Sequence, residues 1–203
     1  QDAQQFDQAR LWPRETPSRD DGSINAQVLV SGPDSGWETI HRLHVAAIHE
    51  AKHRVWLVTP YFVPGEAARM ALTSAAMRGL DVRVVVPAKS DSMLVSAAAR
   101  SYYDELLASG VRLFEYQPRM LHSKALLVDE HTCVLGSANF DHRSFRLNFE
   151  LSLLLHDRDL ARELEQEMEA TLAHCREVKS GDPPLPFLRR LADNATRLLS
   201  PVL

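Results

Sequence analysis

The run HSKALLVD, residues 122–129, constrains the fold more than any other part of this chain. Side chains alternate between the two sides of a β-strand, and here each side carries apolar residues. Leu126 and Val128 lie on one side, and Ala125 and Leu127 lie on the other. A strand of this kind is typical of the interior of a sheet that is covered on both faces.

Strand-like and helix-like patterns alternate along the rest of the chain. Alternating or continuous apolar runs predict strands at 27–31, 54–60, 81–87, 111–117 and 149–156, and a hairpin over 123–137. Apolar residues at helical spacing predict helices at 35–52, 65–78, 92–109 and 159–175. This order predicts an α/β fold, namely an α/β/α sandwich in which helices cover both faces of a mixed, mostly central β-sheet.

Polar residues converge at one end of the predicted hairpin. His122 and Lys124 lie at its start, Ser137 follows its return strand, and Asn139 and Glu150 come next. A lysine on a central strand is costly unless it meets an anion. A neutral imidazole can attack phosphorus, and the lysine, amide and hydroxyl can donate to the non-bridging oxygens. The set predicts a phosphodiester site that needs no metal and no cofactor, with Glu150 holding the tautomer of His122.

The spacing of these residues resembles the H-x-K-x4-D-x6-G-S-x-N signature of the phospholipase D superfamily. The residues in register are His122, Lys124, Asp129, Gly136, Ser137 and Asn139. Three further segments, TPYFVP (59–64), ARSYYDELLASGVRLFEY (99–116) and the terminal LLSPVL, resemble the C-terminal half of bacterial cardiolipin synthases. With this resemblance we expect residues 27–176 to be a phospholipase D-like catalytic domain that carries the second of two such motifs.

The resemblance implies roles for individual residues. His122 is expected to be a catalytic histidine, Lys124 and Asn139 to bind phosphate, and Glu150 to orient the imidazole. Asp129 is counted with this catalytic set, although its place at the hairpin tip indicates a structural role.

Three residues are expected to bind the substrate. Ser137 belongs to the signature, while Arg143 and Arg146 follow it and are expected to meet lipid headgroups or to be solvated loop charges.

The copy number departs from the family pattern, because such enzymes carry two motifs and this chain has one. In-line displacement needs a nucleophile on one side of phosphorus and a proton donor on the other. The second histidine is therefore expected from an N-terminal half that is absent from this chain, or from a second identical chain about a two-fold axis. We prefer the first, because the chain begins with Gln1 and its tail resembles a synthase terminus.

The ends of the chain look different from its middle. Residues 1–26 predict a linker or arm from the missing half. Residues 177–203 predict a Pro-rich spacer and an amphipathic tail helix from Phe187 to about Ser200. That helix either lies in a membrane interface or packs on the domain.

The first hypothesis is phosphatidyl transfer between phospholipids through phosphohistidine, at the cytoplasmic side of the bacterial inner membrane as a peripheral protein. The second is a homodimeric single-motif phosphodiesterase or nuclease, and the third is an inactive lipid- or anion-binding module. The net charge of −4 argues against a nucleic-acid partner. The run HEAKH, residues 49–53, matches a zinc-protease pattern that requires one continuous helix, but it lies where a helix is predicted to end.

Overall fold

The structure of this chain is a computed structural model that describes residues 24–34 and 36–180. Most of the predicted arm, residues 1–23, and the predicted tail helix lie outside the described residues. The division into arm, catalytic domain and tail therefore stays a prediction.

Ten strands form two sheets within the described residues. They are β1 Asn25–Ser31, β2 Arg54–Val58, β3 Phe62–Val63, β4 Asp81–Pro87, β5 Arg112–Tyr116, β6 Ala125–Val128, β7 Thr132–Gly136, β8 Phe140–Asp141, β9 Glu150–His156 and β10 Cys175–Val178. The large sheet has the order β1-β9-β7-β6-β2-β4-β5-β10, and β3 pairs with β8 in a short second sheet. β2, β4 and β5 are parallel and the other neighbours in the large sheet are antiparallel, so the predicted mixed sheet is confirmed.

Helices cover both faces of the large sheet. They are α1 Thr39–Glu50, α2 Glu66–Met77, α3 Met93–Arg100, α4 Tyr103–Ala108, α5 His142–Arg146 and α6 Arg158–Leu172. α1 to α4 contribute to one buried cluster, to which Leu126 and Val128 of β6 belong. α6 contributes to the other cluster, with Ala125 and Leu127 of the same strand. The alternation in HSKALLVD thus predicted a central strand correctly, and the α/β/α sandwich is confirmed.

Several predicted boundaries were wrong by a few residues. β1 begins at Asn25, inside the predicted arm, and β10 continues to Val178, beyond the predicted end of the domain at residue 176. β10 pairs with β5 along its whole length, and this pairing extends the sheet into the expected spacer.

The helix predicted at 92–109 is two helices. α3 ends at Arg100 and α4 begins at Tyr103, so the segment bends between them. α4 then stops before Gly110, whose φ of 95° suits glycine far better than other residues.

The zinc-protease pattern fails on geometry. α1 ends at Glu50, so His49 lies in its last turn whereas His53 lies outside the helix, next to β2. In the part of the chain that the structure describes, no helix is long and apolar enough to cross a membrane.

Candidate active site

The signature residues meet at one edge of the large sheet because of how three antiparallel strands are ordered. β7 lies between β6 and β9, with Ala125 opposite Leu135 and Gly136 opposite Ser152. The start of β6, the end of β7 and the start of β9 therefore share an edge. Lys124, Ser137 and Glu150 occupy these three positions.

His122 and Lys124 lie just before β6 rather than on it. The strand begins at Ala125, His122 is exposed and Lys124 is half-buried. The Lys124 Nζ lies 3.2 Å from His122 Nδ1 and donates to the His122 carbonyl oxygen at 2.9 Å. The strand thus begins two residues later than predicted, and the imidazole and the ammonium lie side by side at the sheet edge.

Glu150 holds Ser137 instead of the predicted His122. One carboxylate oxygen of Glu150 accepts a hydrogen bond from the Ser137 hydroxyl, and the other accepts from Asn148 Nδ2 at 3.1 Å. Ser137 Oγ also accepts from the backbone N–H of Leu151 at 3.0 Å. In this structure Glu150 therefore positions the serine, and the expected hydrogen bond from the imidazole to Glu150 is not made.

Asn139 and Asp141 lie together just beyond Ser137. Asp141 is only 2% exposed and accepts from the Ser144 backbone N–H at 2.7 Å, so it caps the start of α5. The Asn139 Oδ1 atom is buried and receives no hydrogen bond from the described residues. An amide oxygen is an acceptor, so an oxyanion would be bound by the Nδ2 group of Asn139, which also hydrogen-bonds Asp141.

Burial and neighbouring charge set the electrostatics of the site. Burial raises the pKa of Asp141 to about 6, with Glu150 contributing in the same direction, while hydrogen bonds from Ser144 and Asn139 oppose the rise. Burial lowers the pKa of Lys124, and the Glu150 and Asp141 carboxylates partly offset this. Lys124 thus lies within electrostatic reach of both acids, and the site combines one cation with a buried carboxyl group.

Sequence reasoning missed Asp141 as a member of the site. Aspartate is a common N-cap residue, because its carboxylate accepts from the N–H three positions later. The run DHRS, residues 141–144, could therefore have indicated Asp141 as the N-cap of a short helix.

Asp129 lies away from the other signature residues. It follows β6, whereas Lys124 precedes it, and a four-residue strand is roughly 13 Å long. Its carboxylate accepts hydrogen bonds from the backbone N–H groups of Lys52, His53 and Arg54 at 2.8 to 3.2 Å. Although burial raises its pKa, these hydrogen bonds together hold the pKa of Asp129 below its usual value. The structure thus corrects the placement of Asp129 in the catalytic set.

The two arginines after the motif differ in their surroundings. Both are exposed on α5, but the Nε atom of Arg146 forms an ion pair with Glu38 Oε1 at 3.0 Å. Glu38 also contacts His41 Nδ1 at 2.9 Å. A headgroup would therefore have to compete with Glu38 for Arg146, while no such ion pair to Arg143 is found among the described residues.

The TPYFVP loop, residues 59–64, packs against Phe140, which lies between Asn139 and Asp141. Thr59 Oγ1 accepts from the Phe140 backbone N–H at 3.0 Å and donates to the Tyr61 carbonyl oxygen at 2.8 Å. Phe62 is fully buried and stacks on Phe140 with ring centroids 5.8 Å apart. Phe62 therefore packs in the core.

A protein-family model matches the part of the chain that contains this site. The model describes the phospholipase D-like domain of cardiolipin synthases, and it matches residues 44–172, which span β2 to α6 and include the whole site edge.

The chain belongs to this family of phospholipase D-like domains.

Relatives in the family are long proteins. A cardiolipin synthase A of Pseudomonas fluorescens is 45% identical over 185 residues, which is 91% of this chain and 38% of that protein. A cardiolipin synthase A of Pseudomonas syringae is 43% identical over 192 residues, or 40% of its length. The chain thus spans less than half of the curated relatives that it matches.

Two solved structures share the fold of this chain. Nuc, a phospholipase D family member from Salmonella typhimurium, aligns over its whole length with a TM-score of 0.66 and 25% identity, and covers 78% of this chain. A phosphatidylserine synthase from Haemophilus influenzae aligns with a TM-score of 0.71 over 89% of this chain and 48% of its own length. At 18% identity, the second similarity concerns the fold alone.

Proposed function

We propose that this chain supplies one half of the active site of a phosphatidyltransferase that makes cardiolipin. The observation that carries the proposal is the exposed imidazole of His122 beside the half-buried ammonium of Lys124, at the sheet edge that also holds Ser137 and Asn139. Membership of the cardiolipin synthase domain family supports a phospholipid as the substrate.

In the first step, a ring nitrogen of His122 or of its counterpart in a second motif attacks the phosphorus of a phospholipid. The N–P bond forms, the P–O bond to the headgroup breaks, and the leaving alkoxide takes a proton from the opposite imidazole. Lys124 and the Nδ2 group of Asn139 donate to the non-bridging oxygens as negative charge builds there. Ser137 donates its one hydroxyl proton to Glu150 in the structure, so it joins them once that hydrogen bond is exchanged for one to phosphate.

In the second step, a hydroxyl of the acceptor lipid attacks phosphohistidine. The acceptor is an alcohol such as the glycerol head of phosphatidylglycerol, and it gives its proton to the imidazole that protonated the leaving group. The N–P bond breaks and the new phosphodiester leaves. The two imidazoles must stand on opposite sides of phosphorus, so the second one comes from outside this chain, and the preferred source is an N-terminal half of the same protein.

The test uses the full-length protein with labelled phosphatidylglycerol. His122→Ala is expected to lower phosphatidyl transfer by at least a thousandfold, because a lost nucleophile or proton donor is not replaced by water. His131→Ala is the matched control, since His131 is exposed in the turn after β6, near Asp129 and away from the site. Rapid denaturation in SDS at mildly alkaline pH should trap label on the wild-type protein, because the N–P bond of phosphohistidine is cleaved by acid, and full transfer by His122→Ala would refute the proposal.

A homodimeric phosphodiesterase is the second candidate, because Nuc aligns over its entire length with this single-motif chain. Hydrolysis of a phosphodiester by a pair of identical 203-residue chains, with no other part of the protein present, would favour it. Phosphate binding by the full-length protein with no transfer or hydrolysis would favour the binding-module hypothesis. The expected place of the protein, peripheral at the cytoplasmic side of the bacterial inner membrane, rests on the lipid substrate and is tested by vesicle flotation.

A further inference from the structure

A cavity of about 330 Å³ lies between α3 and the carboxyl ends of the parallel strands β2 and β4. We call it the α3 cavity. None of its described lining residues belongs to the signature motif, so it is separate from the residues assigned above. Ligand cavities in proteins have volumes of roughly 300 Å³ and more, and the carboxyl ends of parallel strands are a common place for them.

The α3 cavity lies at the same edge of the sheet as the candidate active site. Val58, at the end of β2, pairs with Ala125 on one side and with Val85 of β4 on the other. β4 is therefore two strand spacings, roughly 10 Å, from β6. Lys124 lines a smaller cavity together with Leu57, which belongs to the buried cluster on the α1–α4 side of the sheet. The α3 cavity and Lys124 thus lie on the same side of the sheet.

The lining of the α3 cavity combines apolar side chains with hydrogen-bond donors. Its apolar lining residues include Val86, Pro87, Val95 and Ala99. Arg100 and Tyr103 line it as well, and both side chains can donate hydrogen bonds. The Tyr103 hydroxyl lies 3.5 Å from Glu115 Oε1, which is long for a hydrogen bond, so it can turn to another acceptor. Such a lining suits a ligand that is mainly apolar and carries acceptor oxygens.

Exposed apolar side chains at the start of α3 continue this surface outward. Met93 is 88% exposed and Leu94 is 40% exposed, both in the first turn of the helix. Met93, Ser96 and Arg100 lie on one stripe of α3, because they are three and seven residues apart. Ser96 and Arg100 line the cavity, so Met93 lies one turn closer to the helix start on the same stripe.

A hydrogen bond joins the two loops at the margin of the α3 cavity. The Tyr61 hydroxyl donates to Asp91 Oδ1 at 2.7 Å. Pro60 and Phe62, on either side of Tyr61, line the cavity, and so does Ser90, which precedes Asp91. The bond therefore holds the TPYFVP loop to the loop before α3, so the cavity is formed before any ligand binds.

We propose that the α3 cavity binds the ester-linked start of one acyl chain of the phospholipid whose phosphate lies at Lys124. The inference rests on the proposed function, which makes a phospholipid the substrate. The acyl chains of a phospholipid begin several bonds from phosphorus, and this separation matches a distance of roughly 10 Å between the strands that hold the two sites.

The lining explains why this part of the lipid is the ligand. An ester carbonyl oxygen accepts from Arg100 or Tyr103, while the first methylene groups lie against Val95 and Ala99 and leave water. The rest of the chain leaves the cavity along Met93, where an exposed apolar side chain meets it.

The direct test is photolabelling of the full-length protein in vesicles of phosphatidylglycerol. The probe is phosphatidylglycerol with a diazirine on an acyl carbon next to the ester, and mass spectrometry of the digest identifies the labelled residues. We expect label on residues 93–100 or on the loop at 60–62. The same lipid with the diazirine at the chain end gives the background. Equal labelling of the cavity by both probes, or preferential labelling by a probe on the glycerol headgroup, would overturn the proposal.

A second test fills the α3 cavity by substitution. Ser96 is half-buried in the lining, so Ser96→Phe places a ring in the cavity. A contact with a part of the substrate that does not react affects ground state and transition state equally. We therefore expect the KM for phosphatidylglycerol in mixed micelles to rise about fivefold or more, with kcat within about twofold of wild type.

Ala108→Phe is the matched control, because Ala108 is exposed on α4 and does not line the cavity. It should leave both constants and the melting temperature as in wild type. A fall in kcat with unchanged KM for Ser96→Phe, or no change in either, would contradict the proposal.

The two proposals fail separately, because photolabelling needs no turnover. Loss of transfer in His122→Ala with no label in the α3 cavity would overturn only the lipid-binding role of the cavity. Label in the cavity with full transfer by His122→Ala would overturn only the proposed catalytic role of the site edge.

Discussion

At the scale of single residues, Asp129 connects the hairpin tip to the start of β2. Its backbone has a φ of 53°, which aspartate tolerates better than most residues, and its carboxylate accepts from three consecutive N–H groups. These groups are the otherwise unpaired N–H groups between α1 and β2. The signature aspartate is therefore explained by folding of the hairpin onto β2.

Asp129→Ala is expected to lower the free energy of unfolding by about 2–3 kcal/mol, because backbone N–H groups lose their acceptor. The cause is structural, so folded protein should keep most of its transfer activity. Glu130→Ala in the same turn is the control, since Glu130 is exposed. Urea unfolding measures the first effect, and a folded Asp129→Ala protein with no activity would contradict the structural role.

The raised pKa of Asp141 makes the free energy of unfolding depend on pH. Its pKa is about 6 in the folded chain against 3.8 ordinarily, mainly because it is buried. Between these values the unfolded chain binds fewer protons than the folded one, so stability falls as pH rises from about 4 to 6. Above pH 6 Asp141 is ionised in both the folded and the unfolded chain, so this contribution to stability falls no further.

Asp141→Asn is expected to remove this loss. Asparagine keeps the cap on α5 and cannot ionise, so the variant does not lose stability through this group as pH rises. The free energy of unfolding of the variant, relative to that of wild type, should therefore be higher at pH 7 than at pH 4 by up to about 3 kcal/mol. Asp159→Asn, on the exposed first turn of α6, should keep the wild-type profile. Chemical unfolding across this pH range measures both, and parallel profiles for Asp141→Asn and wild type would refute the prediction.

At the scale of elements, the pairing of β7 with β9 sets the position of Ser137. A Cβ atom at Gly136 would lie 2.4 Å from the Leu151 carbonyl oxygen and 2.6 Å from Ser152 Oγ. The glycine of the signature thus allows two backbones to approach closely at the site edge. A side chain there would push apart the strands that carry Ser137 and Glu150.

Gly136→Ala is expected to cost about 1–3 kcal/mol of stability, because the clash is with backbone and cannot be relieved by a rotamer change. It should also lower transfer at temperatures where the protein stays folded, since Ser137 moves away from Glu150. Gly36→Ala is the control, because a Cβ atom there meets nothing within 4 Å. Equal melting temperatures for both variants would show that the strands are not in close contact at Gly136.

At the scale of the whole molecule, the site edge presents the exposed imidazole of His122 beside Lys124. We expect the 203-residue chain alone to give no phosphatidyl transfer, because no proton donor faces His122 from the other side of phosphorus. Co-expression with the remainder of the protein as a separate chain should restore transfer. His122→Ala in this chain should abolish the restored activity, and transfer by the isolated chain would contradict the two-motif requirement.

The sequence alone determined the sandwich and most members of the site. Residues 125–128 place apolar side chains on both faces of the strand, so both faces must be covered. The antiparallel return strand of the hairpin then brings Ser137 next to Lys124. Only the tertiary structure decided that Glu150 holds Ser137, that the Asp129 carboxylate accepts from the N–H groups at the start of β2 and that Asp141 joins the site. The reason is that local pattern specifies which face a side chain takes, whereas its partner depends on which strands become neighbours and how deeply they are buried.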